Sequence, residues 1–324
     1  MRPLLRTGVP LLWRSDTLLQ FGTDPDRALA TEVTSAEHLW LNSLDGSLTL
    51  EAALSAADRA GIPAATATGL LELLAQAGGL EDAGLDVPEL RGASAGERDR
   101  LAPDIAASGL AHREPGSGVA AMSARRGARV EVRGNGRVAV ATAALLGSGG
   151  IGTLLLDDAI RDDGSPFSAG LPAGAGLRGV VERAAPSTRV LPQWSGGDSP
   201  MRPSVVVLAD QILVEPDETT ELVAADVPHL QVHATGHHAV VGPLVVPGRT
   251  ACLRCIHLTR RDRDPSWPRQ AAQLGALTRS GPVDMVLATL AAALTVRRVC
   301  GLLEWTDSGD AFRQARDAPS SSTC

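Results

Sequence analysis

Short apolar runs separated by turn residues open the chain. Residues 10–14, 17–21 and 28–33 are brief stretches of β-like composition. Between the second and third runs, residues 22–26 read Gly-Thr-Asp-Pro-Asp, a composition typical of a turn. This pattern predicts three short strands in succession.

The periodicity of the apolar positions then changes to that of helices. Thr34 and Glu37 have the spacing of a capping box, so a helix is predicted to begin there. A second helix is predicted over about residues 50–59. A third helix places four apolar residues on one face, and these are Leu70, Leu71, Leu74 and Ala77. Three small strands followed by three short helices predict a winged-helix-like module over residues 1–85.

The stretch that follows this module is rich in Gly, Ala, Pro and Ser. It carries one predicted helix around residues 96–107 and a loop with a Pro-Gly-Ser-Gly sequence at residues 115–118. We therefore predict a domain boundary near residue 85 and a partly ordered connector over residues 86–127.

A nucleotide-fold pattern begins after the connector. Residues 128–133 are predicted as a strand, and residues 134–139 read Gly-Asn-Gly-Arg-Val-Ala before an apolar helix. A second strand, residues 153–156, ends in Asp157-Asp158. Glycines at such a turn let backbone amides approach a phosphate, and an acid about twenty residues later can bind a ribose hydroxyl. The order predicts a Rossmann-like unit, whereas the same glycines also serve to pack helix against strand without any nucleotide.

The remaining pattern completes an α/β domain to about residue 306. A predicted strand at residues 204–208 runs into Asp210, and two more strands are predicted at residues 229–233 and 239–246. Helices are predicted over residues 271–277 and 283–303. Residues 307–324 show no periodicity, and we expect them to be disordered.

Composition narrows the class of protein. The 324 residues suffice for about two domains, and 44% of them are hydrophobic, which excludes general disorder. Residues 1–86 hold twelve acids against five arginines, which equals the net charge of −7 of the whole chain. An acidic front end disfavours nucleic acid and favours a basic partner. Four cysteines without a signal peptide, and an apolar stretch too short to span a bilayer, predict a cytoplasmic protein.

The N-terminal module resembles the peptide-recognition element of PqqD-like proteins. The resemblance is carried by the order of strands and helices, by Leu-Asp-Gly at residues 44–46 and by Gly-Gly-Leu after the third helix. In that family an extended leader peptide adds as a strand beside the third strand, against the third helix. The resemblance implies a peptide groove formed by Ala28, Leu29, Ala30, Thr31, Glu32, Val33, Leu70 and Leu74. We expect the amide of Leu29 or of Thr31 to face this groove.

The whole arrangement resembles the ThiF and ubiquitin-activating-enzyme superfamily. The glycine-rich turn, the strand ending in Asp210 and the Gly-Pro-Leu-Val-Val-Pro-Gly sequence before a C-x-x-C motif carry this resemblance. Asp-Arg-Asp-Pro-Ser-Trp-Pro at residues 262–268 is similar to actinobacterial precursor leader-peptide-binding, or cyclodehydratase, proteins, in which a PqqD-like element precedes a ThiF-like domain. The resemblance implies a precursor-peptide partner, a YcaO-type partner enzyme and a homodimer.

Enzymes of the superfamily use ATP and magnesium to adenylate a carboxylate. Gly134, Gly136, Asp158 (or its neighbour Asp157) and Asp210 match the family's glycines, ribose acid and metal-binding acid. The family's Asn-x-x-Arg-Gln stretch has no match in residues 159–170, and only Arg178 stands for its lysine. The mismatches predict a degenerate, non-catalytic scaffold. The alternatives are an ATP-dependent adenylyltransferase and a nicotinamide-dependent oxidoreductase, which the C-x-x-C segment disfavours.

Cys252 and Cys255 supply half of a tetrahedral zinc site, which normally needs four ligands. The superfamily usually adds a second cysteine pair, and this chain has none. Cys300 or His257 are the candidates that would complete an irregular site. The alternative interpretation is that these are ordinary core thiols and loop histidines.

Overall fold

The computed structural model describes residues 1–26, 28–157, 167, 176–197, 199–275 and 282–305. The chain forms two compact units, of which the first is Met1–Ser123 and the second begins at Ala124. The predicted tail at residues 307–324 lies outside the described residues.

The first unit begins with small sheets and three helices. Its elements to residue 82 are β1 (Pro3–Leu5), β2 (Leu11–Trp13), β3 (Leu18–Phe21), β4 (Leu29–Glu32), α1 (Ser35–Asn42), α2 (Leu50–Arg59), α3 (Ala64–Gln76) and β5 (Leu80–Asp82). Strands β2, β3 and β4 form an antiparallel sheet in that order, and β1 pairs with β5. The three predicted strands and three predicted helices are all present, and the β1–β5 pair was not predicted.

Local sequence explains the first helix of this unit. Thr34 Oγ1 accepts a hydrogen bond from the Glu37 amide at 3.2 Å, and Glu37 Oε2 accepts one from the Thr34 amide at 2.6 Å. The predicted capping box is therefore confirmed. Side chains from the sheet and from the helices meet in one apolar core, whose fully buried members include Leu19, Phe21 and Leu41.

The first unit continues through most of the predicted connector. A 3₁₀ turn (Pro88–Leu90) is followed by the helices α4 (Ala95–His112) and α5 (Ser117–Gly127). They share a small apolar cluster of Val87, Leu90, Leu101 and Met122. Whether residues 1–85 form a domain of their own stays a prediction.

The second unit is an α/β domain. Its elements are β6 (Arg129–Arg133), α6 (Arg137–Ser148), β7 (Thr153–Leu156), α7 (Leu177–Ala184), β8 (Arg189–Pro192), β9 (Val205–Ala209), α8 (Pro216–Ala224), β10 (His229–Thr235), β11 (His238–Val245), α9 (Leu253–Arg263), α10 (Trp267–Gly275) and α11 (Met285–Trp305). The sheet has the order β11-β10-β9-β6-β7-β8, and all pairs except β10–β11 are parallel. The predicted α/β class with a Rossmann-like second domain is confirmed.

The strand order places a crevice beside the glycine-rich turn. The chain proceeds from β6 to β7 and β8 on one side, and then returns to β9 on the other side of β6. The order therefore reverses between β6 and β9, and the carboxyl ends of two such strands diverge to form the usual ligand crevice of open α/β sheets. Residues 134–136 follow β6, and Asp210 follows β9.

Helices cover both faces of this sheet. Helices α6, α7 and α11 contribute to the apolar core on one face, and α8 and α9 to the core on the other. Among the described residues, one helix, at Met285–Glu304, is long and apolar enough by length and composition to cross a membrane, so the expectation that this apolar stretch is too short was wrong. Ala288, Ala291 and Val299 of this helix are fully buried in the core that it shares with α6, as in a core helix.

Candidate functional site

The glycine-rich turn packs closely against the end of β9. Gly134 has φ +133°, a conformation that residues with a side chain rarely adopt. A Cβ atom at Gly134 would lie 2.1 Å from the carbonyl oxygen of Ala209. The first glycine of the motif is therefore required by a close approach of two backbone segments.

The carboxylate of Asp210 binds the amino end of α6. Its Oδ2 atom accepts hydrogen bonds from the amides of Gly136 and Ala139, each at 2.9 Å. Asp210 is buried, has φ +59°, and donates its own amide to the carbonyl of Val232 at 2.9 Å. A Cβ atom at Gly136 would meet the Asp210 Cγ at 2.5 Å. The Asp210 carboxylate thus binds the same helix amides that would otherwise be available to a phosphate.

The arginine that ends β6 is paired with two carboxylates. Arg133 immediately precedes the turn, and its Nε lies 3.0 Å from Glu131 Oε1 while its Nη1 lies 3.1 Å from Glu218 Oε1. Glu131 is fully buried in the middle of β6, and burial raises the pKa of its carboxyl group, although hydrogen bonds from Arg133 oppose that rise. The positive charge of Arg133 is therefore already paired with the carboxylates of Glu131 and Glu218 and is not available to an anionic ligand. This network was not predicted from the sequence, where its one visible signal is the acidic residue within the Val-Glu-Val sequence of β6.

The other predicted cofactor residues are only partly accounted for. Gly134, Gly136 and Asp210 lie together at the crevice. Asp158 lies outside the described residues, and so do residues 159–170 apart from Phe167. Arg178 on α7 donates from Nη1 to the carbonyl of Val190 at 2.9 Å. An ATP–magnesium site does not fit the described residues as they stand, because Asp210 already holds the helix amides.

The predicted zinc ligands lie at the start of α9. Cys252 is the residue before that helix, and its Sγ lies 3.5 Å from Sγ of Cys255. Cys300 is buried in α11. The part of the chain that the structure describes contains no group of three or more His, Cys, Asp or Glu side chains placed to hold a metal ion. The donor set therefore does not fit zinc, which needs further ligands beyond two thiolates.

The predicted peptide-binding strand is an edge of the three-stranded sheet. The Val33 amide donates to the Thr17 carbonyl at 2.8 Å, and Leu19 is paired with Thr31. Because amides of an antiparallel strand point alternately toward and away from their neighbour, those of Leu29 and Thr31 face β3 and those of Ala30 and Glu32 face outward. The expectation that Leu29 or Thr31 offers a free amide was wrong by one residue.

The side chains of the predicted groove differ in exposure. Ala30 and Glu32 are exposed, and Ala28, Leu29 and Thr31 are half-buried. Val33, Leu70 and Leu74 are buried in the apolar core of this unit. In the described arrangement, the backbone of β4 is therefore accessible to a peptide, while the two leucines of α3 are covered.

Comparison with known proteins identifies similar folds. No protein-family model matches the chain, and no curated protein matches it. Escherichia coli MccB with AMPCPP and MccA is 15% identical with a TM-score of 0.63, over 94% of this chain and 89% of that one. The microcin C7 biosynthetic enzyme MccB with N-formylated MccA is 15% identical with a TM-score of 0.60, over 94% and 90%. PaaA is 16% identical with a TM-score of 0.62, over 92% and 90%.

At these identities the likeness concerns the fold. It extends over nearly the whole chain, so the ThiF-type, Rossmann-like architecture predicted from the sequence is confirmed. The likeness of the N-terminal module to PqqD-like elements in particular stays a prediction. The chain has the fold of MccB and PaaA.

Proposed function

We propose that this protein binds a precursor peptide through its first unit and presents it to a modifying enzyme, while its Rossmann-like unit is a non-catalytic scaffold. The observation that carries the proposal is the pair of hydrogen bonds from the amides of Gly136 and Ala139 to Asp210. The partner enzyme proposed from the sequence resemblance is of the YcaO type, and the protein is proposed to act in the cytoplasm as a homodimer.

The Asp210 carboxylate opposes nucleotide binding in two ways. A phosphate that used the same amides would have to replace two hydrogen bonds to a charged group, each worth about 1.5–3 kcal/mol. The carboxylate also places a negative charge where a second anion would lie. Arg133 offers little compensation because Glu131 and Glu218 already hold it. Arg137, the first residue of α6, donates from Nη1 to the carbonyl of Val283 at 3.2 Å, and the chain contains no lysine.

The peptide part of the proposal rests on β4 and on charge. The outward amides of Ala30 and Glu32 provide the donors that an added strand needs. The excess of acidic residues in residues 1–86 favours a basic peptide. Structures of MccB have been solved in complex with MccA, which supports a peptide partner for a chain of this fold.

The second candidate function is an ATP-dependent adenylyltransferase that activates a peptide or carrier-protein carboxylate. The observation in its favour is that MccB, whose fold this chain shares, has been solved with ATP and with AMPCPP together with MccA. In that case Asp210 would have to leave the helix amides and hold magnesium instead. The two functions therefore predict opposite effects of removing the Asp210 carboxylate.

We expect no ATP–pyrophosphate exchange from the wild-type protein, and we expect Asp210→Ala to bind ATP at least about tenfold more tightly, a difference of about 1.4 kcal/mol. The substitution frees two amides and removes one negative charge beside them. Isothermal calorimetry with ATP and magnesium measures the affinity, and exchange of labelled pyrophosphate measures activity. Asp217→Ala is the matched control, since Asp217 is an exposed carboxylate in the first turn of α8. Exchange in the wild type that Asp210→Ala abolishes would establish the adenylyltransferase instead.

We expect Ala30→Pro to weaken peptide binding by at least about tenfold while the unit remains folded. Proline deletes the outward donor and is tolerated at the edge of a sheet. Fluorescence anisotropy with a labelled, arginine- and lysine-rich peptide measures the affinity. Ala30→Val is the control, because it keeps the amide and changes only the side chain.

The affinity for the basic peptide should also fall as the salt concentration rises, because residues 1–86 carry an excess of acidic residues. Equal affinities of the proline and valine variants would exclude strand addition at β4.

A further inference from the structure

Two thiols lie side by side at the surface of the second unit. The Sγ atoms of Cys252 and Cys255 are 3.5 Å apart, and both cysteines belong to a C-x-x-C sequence at the amino end of α9. Cys255 is exposed and Cys252 is half-buried, so small molecules can reach the pair. The third described cysteine, Cys300, is buried in α11. The close pair and the buried thiol of Cys300 thus lie in different environments within one unit.

The start of the helix favours a negative charge on Cys252. Cys252 is the residue directly before α9, where the backbone amides of the first helical turn have no partner within the helix. Helix amino ends stabilise thiolates in general through their free amides and dipole. Arg254 lies between the two cysteines and is exposed, and it adds positive charge nearby. The environment is therefore that of a reactive thiol.

A structural metal does not account for this pair among the described residues. Zinc would need further ligands, and no third His, Cys, Asp or Glu side chain is placed to complete the site. Two neighbouring thiols in C-x-x-C spacing at a helix start have a second chemistry, which is reversible disulfide formation. That chemistry requires only the two sulfurs and an external disulfide.

We propose that Cys252 and Cys255 form a redox-active dithiol site that exchanges with low-molecular-weight disulfides. The Cys252 thiolate attacks one sulfur of the external disulfide, and a mixed disulfide forms while one thiolate leaves and takes up a proton. Cys255 then gives up its proton and attacks the Cys252 sulfur, which releases the second external thiol. The protein loses two electrons and two protons, and the external disulfide is reduced to two thiols.

The test uses the full chain carrying Cys324→Ser, which removes the thiol of the last residue, and oxidised glutathione as the disulfide. The protein should lose the mass of two hydrogen atoms per chain. Trypsin cleaves after Arg249, Arg254 and Arg260. A non-reducing digest of the oxidised, unfolded protein should therefore contain residues 250–254 joined to residues 255–260. Dithiothreitol should restore both free thiols.

Variants of the two cysteines separate the steps. Cys255→Ser should stop at a mixed disulfide between Cys252 and glutathione. At neutral pH, the remaining Cys252 of that variant should react with iodoacetamide on the order of tenfold faster than Cys255 in Cys252→Ser. Cys300 serves as an internal control and should react only after unfolding. Circular dichroism checks that each variant is folded.

Three results would overturn the proposal. The first is that glutathione leaves both thiols free, and the second is that it modifies each cysteine separately without joining them. The third is one equivalent of zinc that remains bound through purification and protects both thiols, which would make the pair a metal site with ligands outside the described residues. None of these results depends on whether the protein binds a peptide.

Discussion

Replacing Gly134 by alanine is expected to destabilise the Rossmann-like unit by at least about 3 kcal/mol, which combines backbone strain with a severe clash. The φ angle of +133° is disfavoured for any residue with a Cβ. The added carbon would also lie 2.1 Å from the Ala209 carbonyl oxygen. The Ala209 oxygen belongs to the backbone and the backbone also fixes the position of the Cβ, so no rotation of a side chain can relieve the contact. Urea unfolding followed by circular dichroism measures the loss in the transition of the second unit.

Gly301→Ala provides a control of opposite sign in the same unit. Gly301 lies inside α11, and nothing lies within 4 Å of the position that its Cβ would take. Alanine is favoured over glycine in a helix by about 1 kcal/mol, so this variant should be more stable than the wild type. A Gly134→Ala protein as stable as the wild type would mean that the turn does not pack against β9 as described.

The two glycines also show how a nucleotide motif can be explained without a nucleotide. Gly134 is needed because β9 is close, and Gly136 because the Asp210 carboxylate is close. The glycine-rich sequence alone is compatible with two interpretations, a phosphate-binding turn and a turn that packs helix against strand. The contacts of both glycines account for the motif by packing alone. The motif is therefore weak support for adenylation chemistry in this chain.

Hydrophobic periodicity was sufficient for the elements with one clearly buried face. The predicted bounds of α2 and of β7 agree with the structure, and the capping box of α1 is present as predicted. Strands β1 and β5 have three residues each, which is too short to display alternation. Helix α9 has Leu253 as its one buried residue, so its sequence carries almost no helical period. Elements of this kind form through contacts with residues that are distant in the sequence, as β1 does with β5.

The candidate site depended on such distant contacts as well. The resemblance assigned Asp210 to magnesium, but its carboxylate binds amides that precede it by more than 70 residues. Nothing local to Asp210 signals this contact. The register of β4 was equally hidden, because it depends on its pairing with β3. A shift of one residue exchanges inward and outward amides, which is why the free donors belong to Ala30 and Glu32.

The largest effect in the first unit is expected for Arg6→Ala. The buried guanidinium donates from Nη1 to the carbonyls of Gly78, Gly109 and Arg113 at 3.0, 2.6 and 3.0 Å. Its Nη2 donates to the carbonyl of Glu114 at 2.9 Å and lies 2.7 Å from Glu81 Oε2. Alanine would leave four carbonyls and one carboxylate without this partner. Removing one member of such a buried charged group costs about 3–5 kcal/mol.

Arg59→Ala is the matched control, since the exposed Arg59 donates from Nε to the carbonyl of Ser55 in its own helix. Its effect should stay within about 0.5 kcal/mol. Urea unfolding of the full chain measures both variants, and hydrogen exchange shows whether the end of α4 opens first. Arg6→Ala with the stability of Arg59→Ala would contradict the described network.

The partners of Arg6 also decide which fragment can be used to study peptide binding. Gly109, Arg113 and Glu114 lie beyond the predicted boundary near residue 85, within the first compact unit of Met1–Ser123. A fragment of residues 1–85 would keep the three hydrogen bonds from Arg6 to Gly78 and Glu81 but lose the three to the carbonyls of Gly109, Arg113 and Glu114. We therefore expect residues 1–85 to unfold at lower urea concentration than residues 1–123, and Arg6→Ala to reduce that difference. Equal stability of the two fragments would mean that α4 and α5 contribute nothing to the module that carries β4.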